Sequence, residues 1–218
     1  RPPRRGALRI PVDAPARQLV IACGALAHEI TALKRANGWT TLDVACLPPE
    51  LHNRPGKIAP AVRAKIRENR GLYASIFVAY GDCGTGGALD AVLAEEGVER
   101  IAGAHCYEFY ATPSAFAELA DAEPGTFYLT DFLLRHFDRL VIGALGIDRH
   151  PELLPVYFGN YRRLVYLAQS PKPDAEAKAR AAAARLGLEC VVKQTGYGGL
   201  GTSIGAFAGR KWMPVWPA

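Results

Sequence analysis

Short apolar runs, each followed by a stretch with helical spacing, recur through the first hundred residues, and this alternation restricts the fold more than any other feature of the chain. LVIACGAL at 19–26 reads as a buried strand, and AHEITALKRANG at 27–38 carries helical spacing at Ile30, Leu33 and Lys34 before Gly38 stops it. The pattern returns in TLDVACLP at 41–48, a polar link at 49–58 and a basic helix at 59–70 that ends at Gly71. A third strand is expected at 74–81, a helix from Gly87 to Glu96 and a fourth strand at 99–106. Strands that alternate with helices of this length predict βαβ units and an α/β fold with a mostly parallel sheet flanked by helices in Rossmann-like layers.

The second half reads as more helical, with helices expected at 113–123, 130–141 and 151–163. A strand at 164–170, an Ala-rich helix at 173–187 and a last strand at 188–196 follow, and the glycine-rich GYGGLGTSIG at 196–205 reads as a flexible loop. It lacks the lysine of a phosphate-binding loop and the strict dinucleotide spacing. The predicted organisation is a flexible basic arm over 1–17, a single α/β domain over 18–205 and a tail over 206–218.

A chain of 218 residues, half of them hydrophobic, can bury a sizeable core. The net charge of +5 comes largely from Arg1, Arg4, Arg5 and Arg9 in the head and from Arg210 and Lys211 in the tail, so the near-neutral middle argues against nucleic acid as a partner. No apolar run reaches the roughly 18 residues of a membrane span, and a cytoplasmic protein with no membrane partner is expected. The only methionine is Met213, so the chain is expected to begin inside a longer product.

Five cysteines, odd in number and widely spaced, do not make a disulfide framework, and reduced thiols are predicted. In an open α/β sheet ligands bind beyond the carboxyl ends of the strands. Three cysteines fall at such ends: Cys23 in IACGALAHE, Cys83 in VAYGDCGTGG and Cys106 in GAHCYE. Their wide separation rules out a zinc finger or a ferredoxin signature, yet parallel strands bring distant ends together. Thiolates are soft ligands, so Cys23, Cys83 and Cys106 are candidate ligands of a four-iron iron–sulfur cluster (4Fe-4S) with one open site, with zinc as the alternative metal. Gly24, Gly84, Gly86 and Gly87 would leave room for such a group to approach the backbone. Asp82, His105, Glu29 and His28 are candidates for proton transfer or for orienting ligands, and Glu108 and the HNR run at 52–54 lie at the same edge. Cys46 and Cys190, set among apolar neighbours, are expected to pack in the core. His136 and His150 are expected to be ordinary structural histidines.

The set ACGALAHEI at 22–30, AYGDCGTGG at 79–87 with Leu89 and Asp90, GAHCYE at 103–108 and YFGNYRRLVYLA at 157–168 resembles an uncharacterised domain-of-unknown-function family of bacteria and methanogenic archaea. Its members are often encoded near corrinoid-dependent methyltransferases, so the resemblance implies a corrinoid or methyltransferase protein as partner beside a small-molecule substrate. In architecture, not in motif, three distant cysteines around an open iron are similar to quinolinate synthase and the thiouracil desulfidases. The expected activity is Lewis-acid elimination, desulfurisation or group transfer by a metalloenzyme. A zinc-thiolate methyltransferase and a non-enzymatic metal- or corrinoid-associated protein are the alternatives.

Overall fold

The structure, a computed structural model, describes residues 16–170 and 172–209. Most of the arm expected over 1–17 and most of the expected tail lie outside the described residues.

Alternating burial along the first strands organises the N-terminal lobe. In β1 (Gln18–Cys23), Val20 and Ala22 face one side of the sheet and Leu19 and Ile21 the other, as the two-residue period of a strand requires. The first pair packs on Ile30 and Leu33 of α1 (Ala27–Ala36), the second on Ile58, Val62 and Ile66 of α2 (Ile58–Asn69). β2 (Leu42–Leu47), β3 (Ser75–Ala79), α3 (Ala88–Glu96) and β4 (Glu99–Arg100) complete a four-stranded parallel sheet in the order β2-β1-β3-β4. A sheet covered on both faces needs this apolar content. The order reverses between β1 and β3, so a crevice opens beyond their carboxyl ends.

A second parallel sheet, β5-β6-β7, forms the other lobe from β5 (Thr126–Thr130), β6 (Arg163–Ala168) and β7 (Glu189–Gln194). Leu129, Leu164 and Tyr166 pack there against the small face of α8 (Ala175–Leu186), where Ala179 and Ala183 let the helix approach closely. The expected α/β class with parallel strands and flanking helices is found, with the strands divided between two sheets. α4 (Cys106–Ala111) and α5 (Pro113–Ala122) connect the lobes, α6 (Asp131–Arg135) follows β5 directly, a π-helical turn occupies 138–143, and α7 (Leu154–Phe158) precedes β6.

Three elements differ from the sequence reading. The strand expected over 99–106 keeps only two residues of regular ladder, because His105 turns the chain into α4, where the Glu108 carboxylate accepts from the Ala104 amide at 3.2 Å. β5 occupies a stretch left without an element between the helices expected at 113–123 and 130–141, taking only Thr130 from the second. The loop expected at 196–205 is largely helix, α9 (Gly198–Phe207), whose Leu200 and Ile204 bury themselves beside Val20 and Ile30 of the first lobe. A Cβ on Gly198 would lie 2.7 Å from the Phe109 carbonyl oxygen, so the glycine permits the start of α9 to sit on the backbone of α4. No helix among the described residues is long and apolar enough to cross a membrane.

Asp131 anchors the second lobe. It is 4% exposed. Its carboxylate accepts from the Tyr166 hydroxyl at 2.7 Å, the Ser170 hydroxyl at 2.6 Å and the amides of Gln169 and Ser170 at 3.1 and 3.2 Å, with Lys172 Nζ at 3.7 Å. Asp131→Ala leaves these donors buried without an acceptor and is expected to cost about 2–4 kcal/mol. Urea unfolding checks this, and a loss under about 0.5 kcal/mol, the size of an ordinary surface change, contradicts it.

Candidate functional site

The crevice beyond β1 and β3 is closed on its far side by the second lobe, leaving a cavity of about 260 Å³. Cys23 reaches it from the last residue of β1, Cys83 from the loop after β3 and Cys106 from the first turn of α4. Tyr80 and Gly81 form the floor with them, Glu50, His52 and Asn53 form one rim, and Phe127, Phe132, Leu133, Leu140, Val141 and Leu145 form an apolar wall from the second lobe. Glu50 meets Arg139 of that lobe at 2.9 Å, bridging the two sides.

Backbone pairing sets the positions of Cys83 and Cys106. Beyond the two residues of β4, the Asp82 amide donates to Gly103 O at 3.0 Å and the Cys83 amide to Ala104 O at 2.8 Å. Arg100 fastens the same loop, donating to the carbonyls of Ile101 and Gly103 at 2.9 and 3.1 Å while pairing with Asp90 at 2.6 Å. Cys83 takes a φ of +50°, uncommon for a residue with a side chain. Such a conformation costs of order 1 kcal/mol or more and is held only where the surroundings fix it.

The thiols are kept neutral. Burial raises the pKa of Cys23. Cys83 is pushed up to about 11 by burial and then by the nearness of Cys23. For Cys106, burial followed by Cys83 and Cys23 raises it further. The Tyr80 hydroxyl is 3% exposed and has no hydrogen-bond partner. It stands close enough to the Cys23 sulfur to lower that thiol's pKa, which places it to donate to a thiolate there. His52, at the rim, is shifted down by desolvation and then by His105, so its imidazole is neutral at pH 7.

The remaining sequence candidates occupy other places. The Asp82 carboxylate accepts from the Thr85 hydroxyl at 2.5 Å and the amides of Gly87 and Gly86 at 3.0 and 3.1 Å, and these bonds hold it at about 2. It shapes the glycine loop that leads into α3 and does not line the cavity. A Cβ on Gly86 or Gly87 would meet nothing within 4 Å, and Gly84 faces the Pro55 ring at 3.4 Å. All three glycines serve the turn through positive φ. A Cβ on Gly24 would lie 2.9 Å from the Pro49 ring, so this glycine lets the end of β1 pack against that proline; it does not line the cavity. His105 caps α4 against Gly81, with Nδ1 buried and unbonded. Glu29 is buried with one carboxylate oxygen unbonded, and burial, then the Asp131 carboxylate, raises its pKa. His28 is exposed, 3.9 Å from Glu29. Neither of the two lines the cavity.

Cys190 packs against the core of the second lobe as expected, whereas Cys46 is exposed on the edge strand β2. Among the described residues, no group of three or more His, Cys, Asp and Glu side chains is so placed that it could hold a metal ion. Sequence reasoning missed Tyr80 and the apolar wall. A tyrosine at the end of a buried strand, directly before Gly81, was the available signal for the first; the wall carries none, because it arrives from the other sheet.

Neutral thiols in the fold imply a pH dependence in the metal-free protein. An unfolded thiol titrates near about 8.5. The folded state favours the protonated Cys83, so its contribution is complete below that pH and is lost as pH rises through about 11. Urea unfolding followed between these values is expected to show falling stability, with a shallower fall in Cys83→Ser. Equal slopes contradict the shift.

A family model described as protein of unknown function (DUF1638) matches residues 46–204. The match takes in Tyr80, Cys83, Cys106 and the whole apolar wall and begins beyond Cys23. No curated protein and no solved structure matches the chain significantly.

Proposed function

Given that the chain belongs to the DUF1638 family, whose description leaves its activity open, we propose from the site that it is a metalloenzyme in which Cys23, Cys83 and Cys106 hold a four-iron iron–sulfur cluster that acts on a small molecule. The observation that carries this reading is the meeting of three thiols, from three separate elements, in one cavity at the switch point of a parallel sheet. Their chemistry fits such a group. Burial first, then Cys23 for Cys83 and both Cys83 and Cys23 for Cys106, raises the cost of ionisation, so compensating positive charge favours the thiolates, the ligands that select iron–sulfur centres.

A bound cluster with one open iron supplies a Lewis acid for elimination, desulfurisation or group transfer. The protein supplies the rest. Tyr80, beside Cys23, presents a buried hydroxyl donor at the floor of the cavity. His52, neutral at the rim, accepts or returns a proton at an imidazole nitrogen. The apolar wall excludes water. Such a centre requires a reducing compartment, in keeping with the cytoplasm.

Anaerobic iron and sulfide analysis of the purified chain tests the reading. Cys83→Ser is expected to lose the metal, whereas Cys190→Ser keeps it and costs about 1 kcal/mol of packing. Equal metal loss in both variants, or stoichiometric zinc without sulfide, contradicts the cluster. Because the three thiols are protonated at neutral pH, binding must release protons, and metal affinity is expected to rise with pH through the neutral range. An affinity independent of pH would show that thiols are not the ligands.

A further inference from the structure

The charge pattern of the cavity narrows what can enter it. Among the described residues lining it there is no Lys and no Arg. The acid at its rim, Glu50, already meets Arg139. Ionised, the three thiols add negative charge, and three thiolates would outweigh the positive charge of the cluster core they would hold. A carboxylate or phosphate entering here would lose its hydration and meet no cation in the lining, an arrangement that penalises anions. Opposite the thiols, Phe127, Phe132, Leu133, Leu140, Val141 and Leu145 offer an apolar face for a hydrocarbon or aromatic body. One polar group lacks a strong acceptor. The Tyr80 hydroxyl, buried at the floor, has the Cys23 sulfur beside it, a weak acceptor, and makes no geometric hydrogen bond.

We infer that the cavity takes an uncharged small molecule with an apolar body and one hydrogen-bond-accepting head group, a carbonyl, thiocarbonyl or ether-like atom, directed at Tyr80 and the cysteines. The inference rests on the proposed function in placing the active site in this cavity, and it sets the substrate class apart from dicarboxylates, phosphate esters and nucleotides. About 260 Å³ in the metal-free cavity limits the body to at most one ring with short substituents, and a bound cluster would take part of that space.

Benzamide and benzoate have the same body and differ in the charge of the head group, so they serve as the probes. Their binding to the full chain is measured by saturation-transfer NMR and titration, on protein as purified and after metal removal. Benzamide is expected to bind at least about tenfold more tightly than benzoate in both forms. Tyr80→Phe is expected to weaken benzamide about fivefold, the scale of one hydrogen bond, and Leu133→Lys, at a partly exposed position, to move the preference toward benzoate. Equal or tighter binding of benzoate to the unaltered chain overturns the inference, as does an absence of benzamide binding in both forms. The metal content of the same preparations reports separately on the proposed function: a chain that prefers benzamide but never holds metal sinks the cluster and leaves the substrate class standing, and a loaded chain that prefers benzoate does the reverse.

Discussion

Two backbone hydrogen bonds, from the Asp82 amide to Gly103 O and from the Cys83 amide to Ala104 O, hold the candidate site together. They extend the pairing of β3 and β4 past the point where the regular ladder stops, and so tie the loop carrying Cys83 to the loop delivering Cys106. Each neighbouring feature serves this contact. Asp82 winds the glycine turn behind it, Arg100 clamps the 101–103 carbonyls, and Gly81 lets the His105 backbone pass where a Cβ would stand 3.1 Å away. Cys83 accepts a left-handed backbone as the local consequence.

The division into two sheets gives the site its second property. A single sheet would leave the crevice beyond β1 and β3 open to water. Here the residues that follow β5, from Phe132 to Leu145, fold across it, and the chain returns through α9 to seal its own core against α1 and α4. Thiols enclosed in this way stay protonated, and charge formed on one opposes charge on its neighbour, which links their burial to the charge an incoming group must bring. The same enclosure keeps His52 neutral and buries the Tyr80 hydroxyl.

Local pattern and topology were unequally legible in the sequence. β1, β2, β3 and the helices between them follow from apolar runs and helical spacing that survive in the structure, and with them the βαβ reading that puts Cys23 and Cys83 at strand ends. The failures have identifiable physical causes. β5 is five residues long and passes directly into a helix, so no break marks its end. α9 is rich in glycine, which argues for a loop by propensity, but the approach of Gly198 to the α4 backbone selects helix there. Asp82 looked like an acid beside a thiol and is instead bound to its own turn, a role no residue type announces. The apolar wall, 44 to 62 residues from Cys83 in sequence, could not be assigned to the cysteines before the two sheets were seen to face each other.

The central claim is that Cys23, Cys83 and Cys106 are the ligands of one cluster, and X-ray absorption at the metal edge of the anaerobically purified full chain addresses it most directly. The account predicts an iron shell dominated by sulfur, with metal–metal scattering from neighbouring irons, that persists in Cys190→Ser and disappears when the three cysteines are replaced by serine. A first shell of nitrogen and oxygen alone, or a sulfur shell that survives loss of all three thiols, would contradict it.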